Sequence, residues 1–189
     1  MWFHSQPPRF LGALNEPLQS GSSPTVARLM GISDGPAGAT QTLTQMRQLV
    51  QDAVRDPSQR VRELALKIIP SSAWVAQIRA IQQWVQNNIR YVQDPPDMEL
   101  VQTPQKTIEY AAGDCDDQSV LTAALLTATG HPSRFLAVGF GGGPLAHVVT
   151  QTKITNTGTD ADWVAVETIQ SRPLGWLPPN ITSRYIRKI

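Results

Sequence analysis

The stretch from Cys115 to Gly130 is apolar on most sides, with Val120, Leu121, Ala123, Ala124, Leu125, Leu126 and Ala128 leaving no continuous polar stripe. A helix of that kind has to be buried, so the rest of the chain must be wrapped around it. Gly130 and Pro132 end it. Upstream, apolar residues recur every three or four positions: Leu43, Met46, Leu49, Val50, Ala53 and Val54; then Val61, Leu64, Ala65, Ile68 and Ile69; then Trp74, Val75, Ile78, Ile81, Trp84, Val85 and Ile89. Each set forms one helical stripe, and Asp56-Pro57 and Pro70 separate the first three helices. Ser71 or Ser72 is placed to cap the third, and Thr103-Pro104 to open a short fourth that runs to Ala112. Downstream the period shortens, and residues 134–140, 146–153 and 162–169, rich in Val, Phe, Ile and Thr, read as strands. Helices followed by strands give an α+β fold, with the Cys115 helix packed on an antiparallel sheet.

Three units follow from this pattern: a Pro/Gly/Ser-rich arm over 1–40, a globular unit over 41–170 (helices over 41–130, strands over 133–170) and a tail over 171–189. The arm, with Pro7-Pro8, Gly21-Ser22-Ser23-Pro24 and Gly35-Pro36-Ala37-Gly38, is expected to lack regular structure and to order against a partner in a larger assembly. The tail, locally basic at Arg184, Arg187 and Lys188, is expected to be a solvated or docking terminus. A net charge of +1 argues against a nucleic-acid partner held by electrostatics. No apolar run reaches the ~18 residues that would span a bilayer. The beginning of the chain, Met1 to Pro8, carries no basic segment followed by an apolar one, so synthesis in a cytoplasm without a secretory signal is expected. One cysteine among 189 residues precludes an internal disulfide.

That cysteine lies in Ala112-Gly113-Asp114-Cys115-Asp116-Asp117-Gln118, where a glycine turn would deliver it to the first position of the buried helix. Unpaired N–H groups and the positive end of the helix dipole favour a thiolate there, and an imidazole in contact would lower the thiol pKa further. The competing reading is a small core residue. A thiol nucleophile needs a base and a group that orients the base. Of three histidines, His4 falls in the arm, and His131 lies at the far end of the Cys115 helix, some ~15 residues away at ~1.5 Å each. His147 remains, at the start of a strand after the glycine-rich loop 141–143. A hairpin centred near Thr157 would set it opposite Glu167, a carboxylate among core-facing residues that needs a partner if buried. Structural roles compete at both positions: an ordinary strand histidine and an edge-strand charge. No metal is expected, because Cys and His ligands at short spacing are missing and Asp114, Asp116 and Asp117 lack the regular loop of a calcium site; Asp114 or a neighbour reads as the helix cap, and Asp116 and Asp117 as first-turn charges that complement the dipole.

Together, Trp84 and Tyr91, then Gly113-Asp114-Cys115-Asp116-Asp117, the apolar helix to Gly130-His131-Pro132-Ser133-Arg134, His147, and Trp163 with Glu167 resemble the transglutaminase-like superfamily of papain-like cysteine enzymes over roughly residues 72–170. The resemblance implies a papain-like core and a triad of Cys115 as nucleophile, His147 as general base and Glu167 as orienting acid, with no cofactor. Glu stands where Asp is usual, and Val148-Val149 follow His147 where an aromatic often appears two places on. The implied chemistry is acyl transfer on a peptide or protein amide. The Cys115 N–H and the Gln102 side chain are the expected oxyanion donors; the acceptor, water or an amine, stays open, with hydrolysis favoured. The short chain with its arm is also similar to proteins of phage and prophage clusters, which implies a second reading: a non-catalytic module of a phage particle. Trp84 and Trp163 are candidate walls of an apolar cleft or plain core residues.

Overall fold

The structure is a computed structural model and describes residues 26–29, 36–69, 73–95, 99–155, 159 and 162–189. Its centre is helix α5 (Cys115–Ala128), on which Val120, Leu121, Ala123, Ala124, Leu125 and Leu126 are fully buried. Around it pack α1 (Pro36–Arg55), α2 (Arg60–Ile68), α3 (Trp74–Asn88) and α4 (Pro104–Tyr110). On its remaining side lies a four-stranded antiparallel sheet of β5 (Ser133–Phe140), β6 (Leu145–Lys153), β7 (Trp163–Val166) and β8 (Ile181–Lys188), in the order β7-β6-β5-β8. This is the α+β arrangement that the change of period predicts.

Helix and sheet share one core, in which Phe135, Val148 and Val166 meet the α5 leucines. The opposite face of the sheet is also covered: Leu136, Val138, Val149 and Ala165 pack with Leu177 and Ile181, and the Gly175 N–H donates to the Ala165 carbonyl at 2.8 Å. Strand β6 therefore alternates between two buried environments. Each fully buried Leu, Val or Phe contributes roughly 1.5–3 kcal/mol by leaving water.

Several boundaries differ from the sequence expectation. Within the expected arm, β1 (Val26–Leu29) pairs with β3 (Glu99–Gln102), and α1 begins at Pro36 rather than near Thr40, because a proline at the first helical position gives up only an N–H that has no helical partner. The rest of the arm lies outside the described residues, as do Ser71, Ser72 and Thr157; the cap of α3 is Ala73, without a side-chain bond. Thr103 caps α4 as expected, its Oγ1 accepting from the Lys106 N–H. The largest correction concerns the tail. Residues 181–188 are β8, which pairs with β5 from Arg134 to Phe140, so the sheet is incomplete without them. Alternating apolar residues are sparse in this strand because its outer edge faces solvent, which hides it from a hydrophobic pattern.

Candidate active site

Asp114 begins the site. Its carboxylate accepts from the N–H groups of Asp116 (2.9 Å) and Asp117 (3.3 Å), while Asp117 Oδ2 accepts from the Asp114 N–H at 3.2 Å. This reciprocal cap fixes the first turn of α5 and leaves Cys115 at its first position. Gly113 before it does not lie in the glycine turn that the sequence suggests. It lies in β4 (Ala112–Gly113), beside β2 (Arg90–Tyr91), and is required for space: a Cβ there would stand 2.7 Å from Asp117 Oδ2.

The Cys115 thiol, half-buried, donates to Asp116 Oδ1 at 3.4 Å and meets the backbone N–H of Val148. Burial pushes its pKa up, and the charges of Asp116 and Asp114 add to that against the pull of the Val148 N–H. The expectation of a thiolate favoured by the helix end is therefore corrected: burial and the two carboxyls outweigh the Val148 N–H and favour the neutral thiol. Two links dock this turn on β6: Ser119 Oγ donates to the Val148 carbonyl (3.1 Å), and Thr150 Oγ1 donates to the Ser119 carbonyl (2.8 Å).

His147 follows directly on a β-bulge. Val138 pairs with His147, but Gly139 pairs with Leu145, so Ala146 is the extra residue; a bulge re-aims the side chain beside it. His147 Nε2 lies 2.9 Å from Glu167 Oε2, and the Glu167 side chain is almost wholly buried. The hairpin register differs from the expected one by two residues. Thr150 pairs with Val166 and Lys153 with Trp163, which sets Glu167 level with Val149 beyond the last paired residue. Its carboxylate reaches back along the diagonal to His147, a span that two long side chains bridge. Glu167 Oε1 also accepts from the N–H groups of Ile169 (2.8 Å) and Gln170 (3.4 Å). Burial pushes the Glu167 pKa up, yet the His147 bond and charge and these two N–H groups outweigh it and hold the carboxyl below its usual value.

Gln102 does not take the expected role. Its side-chain N–H groups go to Asp117 Oδ2 (2.7 Å) and the Ala112 carbonyl (3.4 Å), and its backbone N–H goes to Asp117 Oδ1 (2.7 Å). It ties β3 to α5 and has no donor left for an oxyanion. Nor are the acids after Cys115 simple first-turn charges. Burial holds Asp116 well above the ordinary carboxylate range, helped by a hydrogen bond with Glu99. Burial and the charge of Asp117 raise Asp114 to about 7, and burial raises Asp117 to about 6. Ligand atoms of Asp114, Cys115 and Asp116 lie within 4.8 Å of one another, but these groups are already partnered by one another and by the α5 cap.

Two residues that the sequence reading passed over hold the acid in place. Gln82 and Gln86 of α3 donate to the Glu167 carbonyl at 3.0 and 2.9 Å, and Gln86 also reaches the carbonyls of Gln170 and Arg172. A polar pair four residues apart inside the stripe of Ile81 and Val85 is the signal that marks them. His131 is a structural residue: 1% exposed, with Nε2 2.9 Å from Gln77 Oε1 and its ring 4.0 Å from that of Trp74. Burial lowers its pKa to about 4. Trp163 does not wall a cleft at this site. It pairs with Lys153, six residues along β6 from His147, and its ring lies under Arg134 and Lys153.

A family model for a transglutaminase-like domain matches residues 59–164, more than half of the chain. No curated protein sequence matches. Among solved structures, a candidate cysteine protease from Cytophaga hutchinsonii aligns at 20% identity and a TM-score of 0.49 over 67% of this chain and 42% of its own. A candidate protease from Parabacteroides distasonis aligns at 16% identity and a TM-score of 0.52 over 70% of this chain and 27% of its own. The second likeness is one of fold. The chain spans less than half the length of either protein.

Proposed function

The chain belongs to the transglutaminase-like domain family, and on that premise we propose that it is a thiol-dependent amide hydrolase whose triad is Cys115, His147 and Glu167. One observation carries the reading: a buried carboxylate holds the imidazole of His147 at 2.9 Å, and the next residue, Val148, presents its N–H to the thiol of Cys115. Glu167, fixed by Ile169 and Gln170 and kept ionised, accepts from His147 Nε2 and so directs the basic Nδ1 lone pair away from itself.

Because the resting thiol is neutral, His147 takes its proton as sulfur attacks the amide carbonyl. The C–S bond forms, the oxyanion gathers at the unpaired Cys115 N–H, and the C–N bond breaks as His147 passes the proton to the leaving amine. Water then attacks the thioester; its proton goes to His147 and on to the departing thiolate. The substrate class is a peptide or protein amide. The test is turnover of a fluorogenic peptide library. Native protein should cleave members of it, Cys115→Ser and His147→Ala should cleave none, and full turnover by Cys115→Ser would end the proposal.

A second reading, a non-catalytic module of a larger assembly such as a phage particle, is favoured by the same acids that raise the thiol pKa. On that reading Cys115 resists alkylation at every accessible pH, and Cys115→Ala leaves assembly intact.

A further inference from the structure

At the far end of the sheet from His147 lies a cavity of about 460 Å³ lined by Arg47, Arg134, Ile186, Arg187 and Lys188. Four of the five residues are cationic and none is acidic. Arg134 is spoken for, its Nε donating to Gln151 Oε1 at 2.8 Å and its guanidinium stacked on Trp163. Arg47 of α1 and Arg187 of β8 differ from it. The Nε of each is shut off from solvent and has no hydrogen-bond partner among the described residues. Neither Nε commits its guanidinium to a protein acceptor, and two such arginines with a lysine beside them, lining a cavity that has no acidic residue in its wall, present charge that an anion would neutralise.

We propose that this cavity binds a multiply charged phosphate-class anion, with Arg47 and Arg187 as its guanidinium clamps and Lys188 as a third cation. Three positive charges with no acid among the lining residues exceed what a single carboxylate neutralises, and the planar forks of two arginines match phosphoryl oxygens in pairs. The volume falls within the range of small-ligand pockets. The site is separate from the triad: Arg134 and Val138, the partner of His147, are four residues apart on β5, roughly 13 Å. Arg187 and Lys188 of β8 thus acquire a role in a folded pocket.

Isothermal titration at constant ionic strength tests this, with inorganic pyrophosphate, inorganic phosphate, sulfate and a nucleoside diphosphate as probes. Saturable sub-millimolar binding of pyrophosphate, tighter than that of sulfate, is expected, weakened about tenfold by Arg47→Gln and by Lys188→Gln. The nucleoside diphosphate tells a free anion from the phosphoryl end of a larger molecule, and binding of either that depends on both residues supports the site. Lys188 is exposed, so its variant keeps the test readable if Arg47→Gln does not fold. The rate of Cys115 alkylation should be unchanged in both. Equal weak binding of pyrophosphate and sulfate would overturn the proposal, as would tighter binding of a single-stranded oligonucleotide that the variants do not reduce.

Discussion

Asp114 couples the stability of the site to pH. A carboxyl with a folded pKa of about 7 and an ordinary unfolded one near ~3.9 binds more protons when folded. Its burden on the fold is absent at pH below the unfolded value, grows as pH rises and is complete above the folded one. Asn keeps the cap oxygen that receives the Asp116 and Asp117 N–H groups. Asp114→Asn should therefore be more stable than the native protein at pH 8, its advantage growing by about 2 kcal/mol between pH 5 and pH 8. Urea unfolding at the two pH values reads this directly, and an advantage independent of pH would contradict it. At this scale the sequence was informative about identity and poor on environment. Gly-Asp-Cys-Asp-Asp marks the nucleophile's position because a cap, a thiol and first-turn acids are all local features. That Asp116 is buried against Glu99 of a distant strand, or that Gln102 is committed to Asp117, depends on contacts between segments that no local pattern encodes.

Among the elements, the bulge in β6 aims the imidazole, and Gly139 makes room for it. A Cβ on Gly139 would meet Ser183 Oγ and lie 2.6 Å from the Pro144 carbonyl. Gly139→Ala should cost about 1–3 kcal/mol and lower Cys115 reactivity as well, whereas an alanine at an exposed position should do neither. Thermal melts and alkylation rates measured on one preparation separate the two effects; unchanged reactivity in a destabilised protein would remove the bulge from the account. Helices α1 to α3 were legible because each shows a 3.6-residue stripe against one core, α4 because Thr103-Pro104 marks its start, and α5 because it is apolar on most sides. Strands β5 to β7 were legible because both faces are buried and β-branched residues run on. The short pairs β2 with β4 and β1 with β3 escaped, since two or four residues give no period, and the slip of the hairpin register escaped because nothing in the sequence sets the length of its turn.

For the whole molecule, the sheet needs its last strand. β8 pairs with β5 over nearly its full length, and Tyr185 and Ile189 pack against the main core. A chain ending at Pro179 should lose cooperative unfolding altogether, and a sharp melt near the native temperature would show that β8 is the appendage its composition suggests. The central claim is that Cys115 works through His147. The most direct measurement is the rate of Cys115 alkylation by iodoacetamide from pH 5 to pH 10 in native protein and in His147→Ala. With a neutral resting thiol and an imidazole that takes its proton, the native protein should react at neutral pH and the variant about a hundredfold more slowly. Identical profiles in the two proteins, rising only at alkaline pH, would contradict the claim.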